Sequence, residues 1–198
     1  MALPTIIFAS NNQHKANEIR TVLQNILHIT TLREAGILID IPEPHDTLEA
    51  NASEKSGVIF KLTGKNCFSE DTGLEVEELE GEPGVRSARY AQNEPYFKSN
   101  NEKLLFKLKD AGNRTARFRT VISLIIDGKE YFFEGICNGR IIEEEKGDSG
   151  FGYDPVFVPD GAGKTFAEMD MDEKNQYSHR KKAVEKLVAF IKKYYSTH

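Results

Sequence analysis

Three stretches of this chain combine residue types suited to an anionic ligand. The first is Ser10-Asn11-Asn12-Gln13-His14-Lys15, a polar run ending in a lysine. Placed between a strand and a helix, it offers free backbone N–H groups and an ammonium, which together suit phosphate. Neither a Walker A motif nor a GxGxxG fingerprint occurs, and taken alone the run reads as a polar surface loop. The second is Glu70-Asp71-Thr72-Gly73. Neighbouring strand residues point to opposite faces, so one of the two carboxylates at most faces a given site. The plainer alternative is a turn start with Asp71 as a local acceptor. Glu43, stiffened between Pro42 and Pro44, is an acid that could join Asp71 on a magnesium ion. Mg²⁺ takes oxygen ligands and keeps several waters, so one or two carboxylates suffice beside ligand phosphates.

The third stretch is Ser149-Gly150-Phe151-Gly152-Tyr153-Asp154-Pro155. Its glycines permit close backbone approach, and an exposed Phe151 would offer a stacking face to a planar ring. A glycine turn with Phe151 tucked into the core is an equal alternative. Further on, Lys174 to Lys182 gathers cations at the start of the last helix. Lys181 and Lys182 look like a solvated face. His179-Arg180 is less expected there, because cations sit badly at the positive end of a helix dipole. An anion or a carbonyl-bearing ligand would relieve that conflict.

These residues need elements to hold them. Thr5–Ala9 is a short apolar run that reads as a strand, and Ile19, Val22, Leu23 and Ile26 then recur at helical spacing. Thr30 to Ile41 reads as extended and ends at Pro42. Asp46 with Glu49 resembles a helix capping box. Leu48, Ala52, Ile59 and Leu62 give that second helix an apolar face, and Gly64 stops it. Asn66–Ser69 is a short strand running into the acidic motif. A third helix is expected from about residue 96 to 111, around Leu104, Leu105 and Leu108. The runs Ala116–Ile126 and Glu130–Cys137 flank Asp127-Gly128, a strong hairpin signal. Val156–Val158 is a further strand, Asp170 with Glu173 a second capping box, and Ser178 a cap for the last helix. Helices and strands alternate around a central hairpin, which favours an α/β fold with a mixed sheet.

Composition sets outer limits. The 198 residues suit one large domain or two lobes on one sheet. Lys plus Arg is 26 against 31 Asp plus Glu, and the net charge of −5 argues against gripping nucleic acid or an anionic membrane. Hydrophobic residues at 39% and charged ones at 29% describe a globular chain. The longest apolar run, Val121–Ile126, is far too short for a bilayer span. Without a signal-peptide pattern, Cys67 and Cys137 are expected as buried thiols and the location as cytoplasmic.

Taken in order, these blocks resemble the inosine triphosphate pyrophosphatase family. The resemblance runs from Ile6 to about Leu187. It is carried by Phe8–Lys15, by Ser69–Leu74 continuing to Gly84-Val85-Arg86-Ser87-Ala88-Arg89-Tyr90-Ala91, by Gly150–Pro155, and by Lys164-Thr165-Phe166-Ala167-Glu168 through Ser178-His179-Arg180. It implies one domain over 1–198, with an elongated mixed β-sheet, helices in two lobes and an active-site cleft between them. It implies a Mg²⁺-dependent hydrolase that cuts ITP, dITP and XTP to the monophosphate and pyrophosphate, working as a homodimer. Carried over by position, Asp71 is the catalytic acid, serving the metal and activating water, with Glu43 and Glu70 as supporting metal acids. Ser10, Asn11, Asn12, Gln13, His14 and Lys15 form the phosphate loop. Lys55, Lys174 and Arg180 contact triphosphate and base. Phe151 stacks on the purine, and Gly152, Tyr153, Asp154 and His179 line the base, while Thr72 follows the acids in their motif. The chain departs from common members in opening the loop Ser10-Asn11-Asn12, in having Glu70 first in the acidic motif, and in Gln92 where a glycine is usual. Two other readings stand beside this one: a pyrophosphatase of related fold for other modified nucleotides, and a nucleotide-binding regulator without turnover. The regulator reading sits poorly with three acids all being present.

Overall fold

A computed structural model of the chain describes residues 5–23 and 26–197. The elements alternate as expected: β1 (Thr5–Phe8), α1 (Gln13–Leu23), β2 (His28–Thr31), α2 (Leu48–Thr63), β3 (Cys67–Val76), β4 (Pro83–Gly84), α3 (Asn100–Lys107), β5 (Thr115–Ile126), β6 (Lys129–Ile141), β7 (Phe157–Pro159), α4 (Met171–Tyr177) and α5 (His179–Thr197). Contacts divide them into two compact units. One holds the described residues up to Asp71, Thr120–Gly135, and those from Arg180 onward; the other holds Thr72–Arg119 and Ile136–His179.

In the first unit the strand order is β2-β1-β3-β5-β6. β1 runs parallel to β2, with Ile6 opposite Ile29, and parallel to β3, with Phe8 opposite Phe68. Alternation along the strands fills both faces. Ile6, Phe8, Phe68, Ile122 and Leu124 pack with Ile19 and Leu23 of α1 and with Val184, Leu187 and Ile191 of α5. Ile7, Ala9, Cys67 and Ile125 belong to a second cluster with Ile59 of α2. Strands covered on both faces read as continuous apolar runs, which is why β1 and β5 were legible. Between β5 and β6, Asp127 and Gly128 take φ of 49° and 77°, the double positive φ of a primed hairpin turn.

In the second unit β4 pairs antiparallel with β3, and β7 antiparallel with β6. Leu74, Leu104, Phe118, Val156, Phe157 and Phe166 form its core, with the Phe118 and Phe157 rings 4.7 Å apart, edge to face. Both cysteines are free and buried, and burial pushes the Cys67 thiol up to about 12, leaving it inert. No described helix is long and apolar enough to cross a membrane.

Several boundaries differ from expectation. The extended run ends at Thr31, because Glu34 folds back to accept from the Thr31 N–H at 2.8 Å and pairs with Arg20. The third helix spans only Asn100–Lys107, starting where the Ser99 side chain accepts from the Glu102 N–H. Leu62 is 58% exposed and leaves the apolar face of α2 to Leu48, Ala52 and Ile59. The cap of α2 is Thr47, whose hydroxyl accepts from the Ala50 N–H at 3.2 Å, and not Asp46. Gly64 ends the helix as expected, at φ 65°. Thr47→Ala is expected to cost about 1 kcal/mol in urea denaturation, and Asp46→Ala less than about 0.5 kcal/mol. Equal costs would return the cap to Asp46.

Candidate active site

The first unit gathers four acids and three cations around the C-terminal end of β1 and the middle of β3, which runs past the acids to Val76 and does not end before them. Ser10 and Asn12 shape the loop after β1. The Ser10 hydroxyl accepts from the Asn12 N–H at 3.1 Å, and the Asn12 side chain accepts from the Lys15 N–H at 3.1 Å, capping α1. The Asn11 side chain accepts from the Arg33 N–H at 2.8 Å and ties the loop to the turn after β2. Gln13 and His14 fall within α1 itself, where Gln13 donates to Asn17 and His14 is exposed. Lys15, one turn in, reaches Glu70 at 2.6 Å.

Glu70 and Asp71 point apart, as strand alternation requires, and each meets a different cation. Both Glu70 oxygens are engaged: Oε1 by Lys15, Oε2 by Arg180 Nε at 2.7 Å. Arg180 also donates through Nη1 to Glu18. Glu18 lies one helical turn beyond Lys15 on α1 and is buried, and the sequence reading did not single it out. The i, i+3 spacing of Lys15 and Glu18 was the available signal. Arg180 was expected to meet triphosphate and base; its guanidinium instead lies between two internal carboxylates, which resolves the dipole conflict at the start of α5. Burial pushes the Glu70 carboxyl up, but Arg180 and Lys15 outweigh it and hold the group well below the usual carboxylate range. Burial likewise lowers the Arg180 guanidinium, and Glu70 and Glu18 more than restore it.

Asp71 meets Lys55 of α2. The Lys55 ammonium lies 2.5 Å from Glu43 Oε1, 2.8 Å from the Glu70 carbonyl oxygen and 3.1 Å from Asp71 Oδ1. Asn51, one turn earlier on α2, exchanges hydrogen bonds with the His45 backbone and so fixes the segment carrying Glu43. Asp71 Oδ2 is buried without a hydrogen-bond partner. Burial raises the Asp71 carboxyl, Lys55 lowers it, Glu43 raises it, and the balance is upward. Two acids thus share one lysine, and an orphaned oxygen remains. Such oxygen donors fit a hard divalent cation. Among the described residues no group of three or more His, Cys, Asp or Glu forms a ready-made metal cage.

The second unit carries a different constellation. The Phe151 N–H donates to Asp154 Oδ2 at 2.8 Å, and the same oxygen takes Lys174 Nζ at 2.7 Å. Asp154 and Lys174 are both buried, and Lys174 Nζ sits 5.3 Å from the Phe151 ring centroid. Phe151 is half-buried and stands outside the core cluster. Gly150 has φ 77°, and a Cβ there would meet Asp154 Oδ2 at 2.1 Å, so only glycine lets the loop close on its own carboxylate. Gly152 is exposed, while Tyr153 is buried and donates to the Ser87 carbonyl at 2.9 Å. His179 is buried against Phe118, the rings 4.7 Å apart and nearly parallel. Thr72 follows Asp71 along β3.

A sequence model of the Ham1 family matches residues 6–190. The dITP/XTP pyrophosphatase of Porphyromonas gingivalis is 50% identical over 187 residues, which cover 94% of this chain and 96% of that protein. The dITP/XTP pyrophosphatase of Flavobacterium johnsoniae is 46% identical, covering 94% and 97%. Among solved structures, the Staphylococcus aureus Ham1 protein superposes with a TM-score of 0.84 at 39% identity, covering 95% of this chain and 98% of that one. A HAM1 protein from Coxiella burnetii gives 0.86 at 32% identity, covering 96% and 100%.

The buried Glu18–Arg180–Glu70 group makes a direct prediction. Glu18→Gln deprives a buried guanidinium of one counter-charge and is expected to cost roughly 3 kcal/mol in urea denaturation at pH 7. A cost below about 0.5 kcal/mol would show the contact contributes nothing. The folded pKa of Glu70 lies below its unfolded value. Its stabilisation is therefore complete above about pH 4.3, the ordinary carboxylate value, and fades as pH falls from there toward the folded value. The stability gap between wild type and Glu70→Gln should narrow over that acid window.

Proposed function

The chain belongs to the Ham1 family, and from that premise we propose that it is a nucleoside triphosphate pyrophosphatase acting on deaminated purine nucleotides such as ITP, dITP and XTP. It releases the monophosphate and pyrophosphate and so clears non-standard purines from the nucleotide pool. The observation that carries the chemical reading is Asp71 with Glu43: two carboxylates sharing Lys55, with the buried Asp71 Oδ2 left over.

In this reading the first unit handles the triphosphate. Glu43 and Asp71 hold Mg²⁺, which when bound supplies charge neutralisation for the phosphates. Lys55 and the N–H groups at the start of α1 bear on phosphate oxygens, with the Ser10–Asn12 loop already shaped by its own hydrogen bonds. Asp71 takes the proton of the attacking water, a task suited to a carboxylate whose burial makes it more basic than usual. Arg180, Glu18 and Lys15 hold Glu70 and thereby the strand that presents Asp71.

The second unit receives the purine. Phe151 is the stacking face, and Lys174, whose ammonium lies over one side of that ring, is a donor beside it, fixed by Asp154. A 6-oxo purine offers an acceptor to that donor; adenine offers a 6-amino group, setting donor against donor. Sites that demand one particular hydrogen bond reject the mismatched partner strongly. We further propose a cytoplasmic homodimer that binds neither nucleic acid nor membrane, in line with the net charge of −5.

Pyrophosphate release from ITP, XTP and ATP, with Mg²⁺ and with excess EDTA, tests the scheme. ITP and XTP should be cleaved far faster than ATP, and only with Mg²⁺. Equal rates for ITP and ATP would remove the 6-oxo argument, and full activity in EDTA would remove the metal. Asp71→Asn should lower kcat at least about 100-fold, equivalent to about 2.7 kcal/mol of barrier, with the melting temperature kept. Lys174→Met should narrow the ITP-to-ATP ratio of kcat/KM. If it lowers both substrates equally, Lys174 is not the discriminating donor.

A further inference from the structure

The block Lys164-Thr165-Phe166-Ala167-Glu168 carries no residue assigned to the proposed chemistry, yet it touches both ends of the loop bearing Phe151, and the Phe166 ring centroid lies 5.4 Å from Lys174 Nζ. At the near end, the buried Thr165 hydroxyl donates to the Lys146 carbonyl at 2.8 Å, and the Ser149 N–H donates to the Ala167 carbonyl at 3.1 Å. At the far end, the Ala167 N–H donates to the Asp154 carbonyl at 3.2 Å. Between them, Gly147 lies so close that a Cβ would meet the Ala167 carbonyl at 2.4 Å. The block is itself fixed. It forms a single 3-10 turn closed by the Thr165 N–H donating to Glu168 Oε2 at 2.8 Å, and Phe166 anchors it in the core beside Phe157.

From this geometry we infer that the Thr165–Glu168 turn fixes the base platform, and that Thr165 is a positioning residue for purine binding. The inference rests on the reading of Phe151 as the stacking face. Residues 146–154 have no helix or strand of their own; the Lys146 and Asp154 carbonyls and the Ser149 N–H bond to this turn, and the Phe151 and Asp154 groups bond to each other. Loosening the turn lets Phe151 and the Asp154–Lys174 pair sample other positions, and the ordering cost then falls on ligand binding. The residues assigned to the triphosphate belong to the first unit and the turn to the second, so the loss is expected at the base.

The test measures four variants for KM and kcat on ITP, for inhibition by inosine 5′-monophosphate and by pyrophosphate, and for melting temperature. Thr165→Val is expected to raise KM and weaken monophosphate inhibition about five- to tenfold, the equivalent of one lost hydrogen bond. Its kcat and pyrophosphate inhibition should stay near wild type. Thr165→Ser keeps the hydroxyl and should restore binding. Glu168→Ala opens the turn from its exposed side and should shift binding in the same direction; it decides the matter if Thr165→Val does not fold. Phe151→Ala is the reference. If it weakens monophosphate inhibition while Thr165→Val and Glu168→Ala do not, the platform stands and the positioning role is overturned. If Phe151→Ala itself has no effect, the platform reading fails and this inference with it. Equal loss of pyrophosphate and monophosphate inhibition in Thr165→Val would mean general damage, and would also overturn the inference.

Discussion

Much of the first unit depends on burying one ionised acid in the middle of β3. Glu70 has almost no contact with water. An isolated buried carboxylate would take up a proton or unfold the strand, since the cost of dehydrating it runs to several kcal/mol. Lys15 and Arg180 prevent this from opposite ends of the sequence, one from the first turn of α1 and the other from the first turn of α5. The docking of both helices is therefore tied to a charge as well as to apolar area. Glu18 extends the group, so that two acids face two cations and the cluster is internally balanced. In the proposed function this balanced cluster serves as architecture.

The neighbouring cluster is built from the same residue types and differs in its count. Glu43 and Asp71 share one lysine. The buried Asp71 Oδ2, without a hydrogen bond, raises the energy of the ligand-free state, and a cation placed there would relieve it. This is how one strand can carry two adjacent acids with different fates. Alternation sends Glu70 toward α1 and α5 and Asp71 toward α2, and the number of cations waiting on each face decides which acid is settled and which is available. The upward shift of Asp71 and the downward hold on Glu70 are the electrostatic record of that difference.

The parts legible in the sequence were those written in local terms. Asp127-Gly128 announced its turn because positive φ at both positions needs such residues, and Gly64 announced a helix end for the same reason. Asp46 and Thr47 are both good caps, and which one serves depends on a single residue of register that propensity does not resolve. The run after Thr31 looked extended because its residue types permit it; Arg20, from another element, turns Glu34 and closes the chain into a turn. The acids and cations of the site were found by type and order, but the pairing among them was not. Arg180 reads as a ligand contact until Glu18 is placed beside it, and 162 positions of sequence separate the two. Asn51 was missed likewise, since its work is done on the backbone of His45.

The second unit reaches preorganisation by another route. Its loop carries no balanced set of buried charges beyond Asp154 and Lys174, and relies on neutral hydrogen bonds, from backbone and hydroxyl groups, to neighbouring turns. Tyr153 donates to the Ser87 carbonyl, while the Ser87 hydroxyl accepts from the Leu74 N–H at 2.9 Å and donates to the Gly84 carbonyl at 2.6 Å. Such contacts are neutral and short-ranged, so salt and pH scarcely alter them, whereas the charged clusters of the first unit respond to both. A planar base needs a surface of fixed position and little charge; a triphosphate needs charge that can rearrange as a metal arrives. In the proposed function, the division of labour between the two sets of residues follows from those unlike demands.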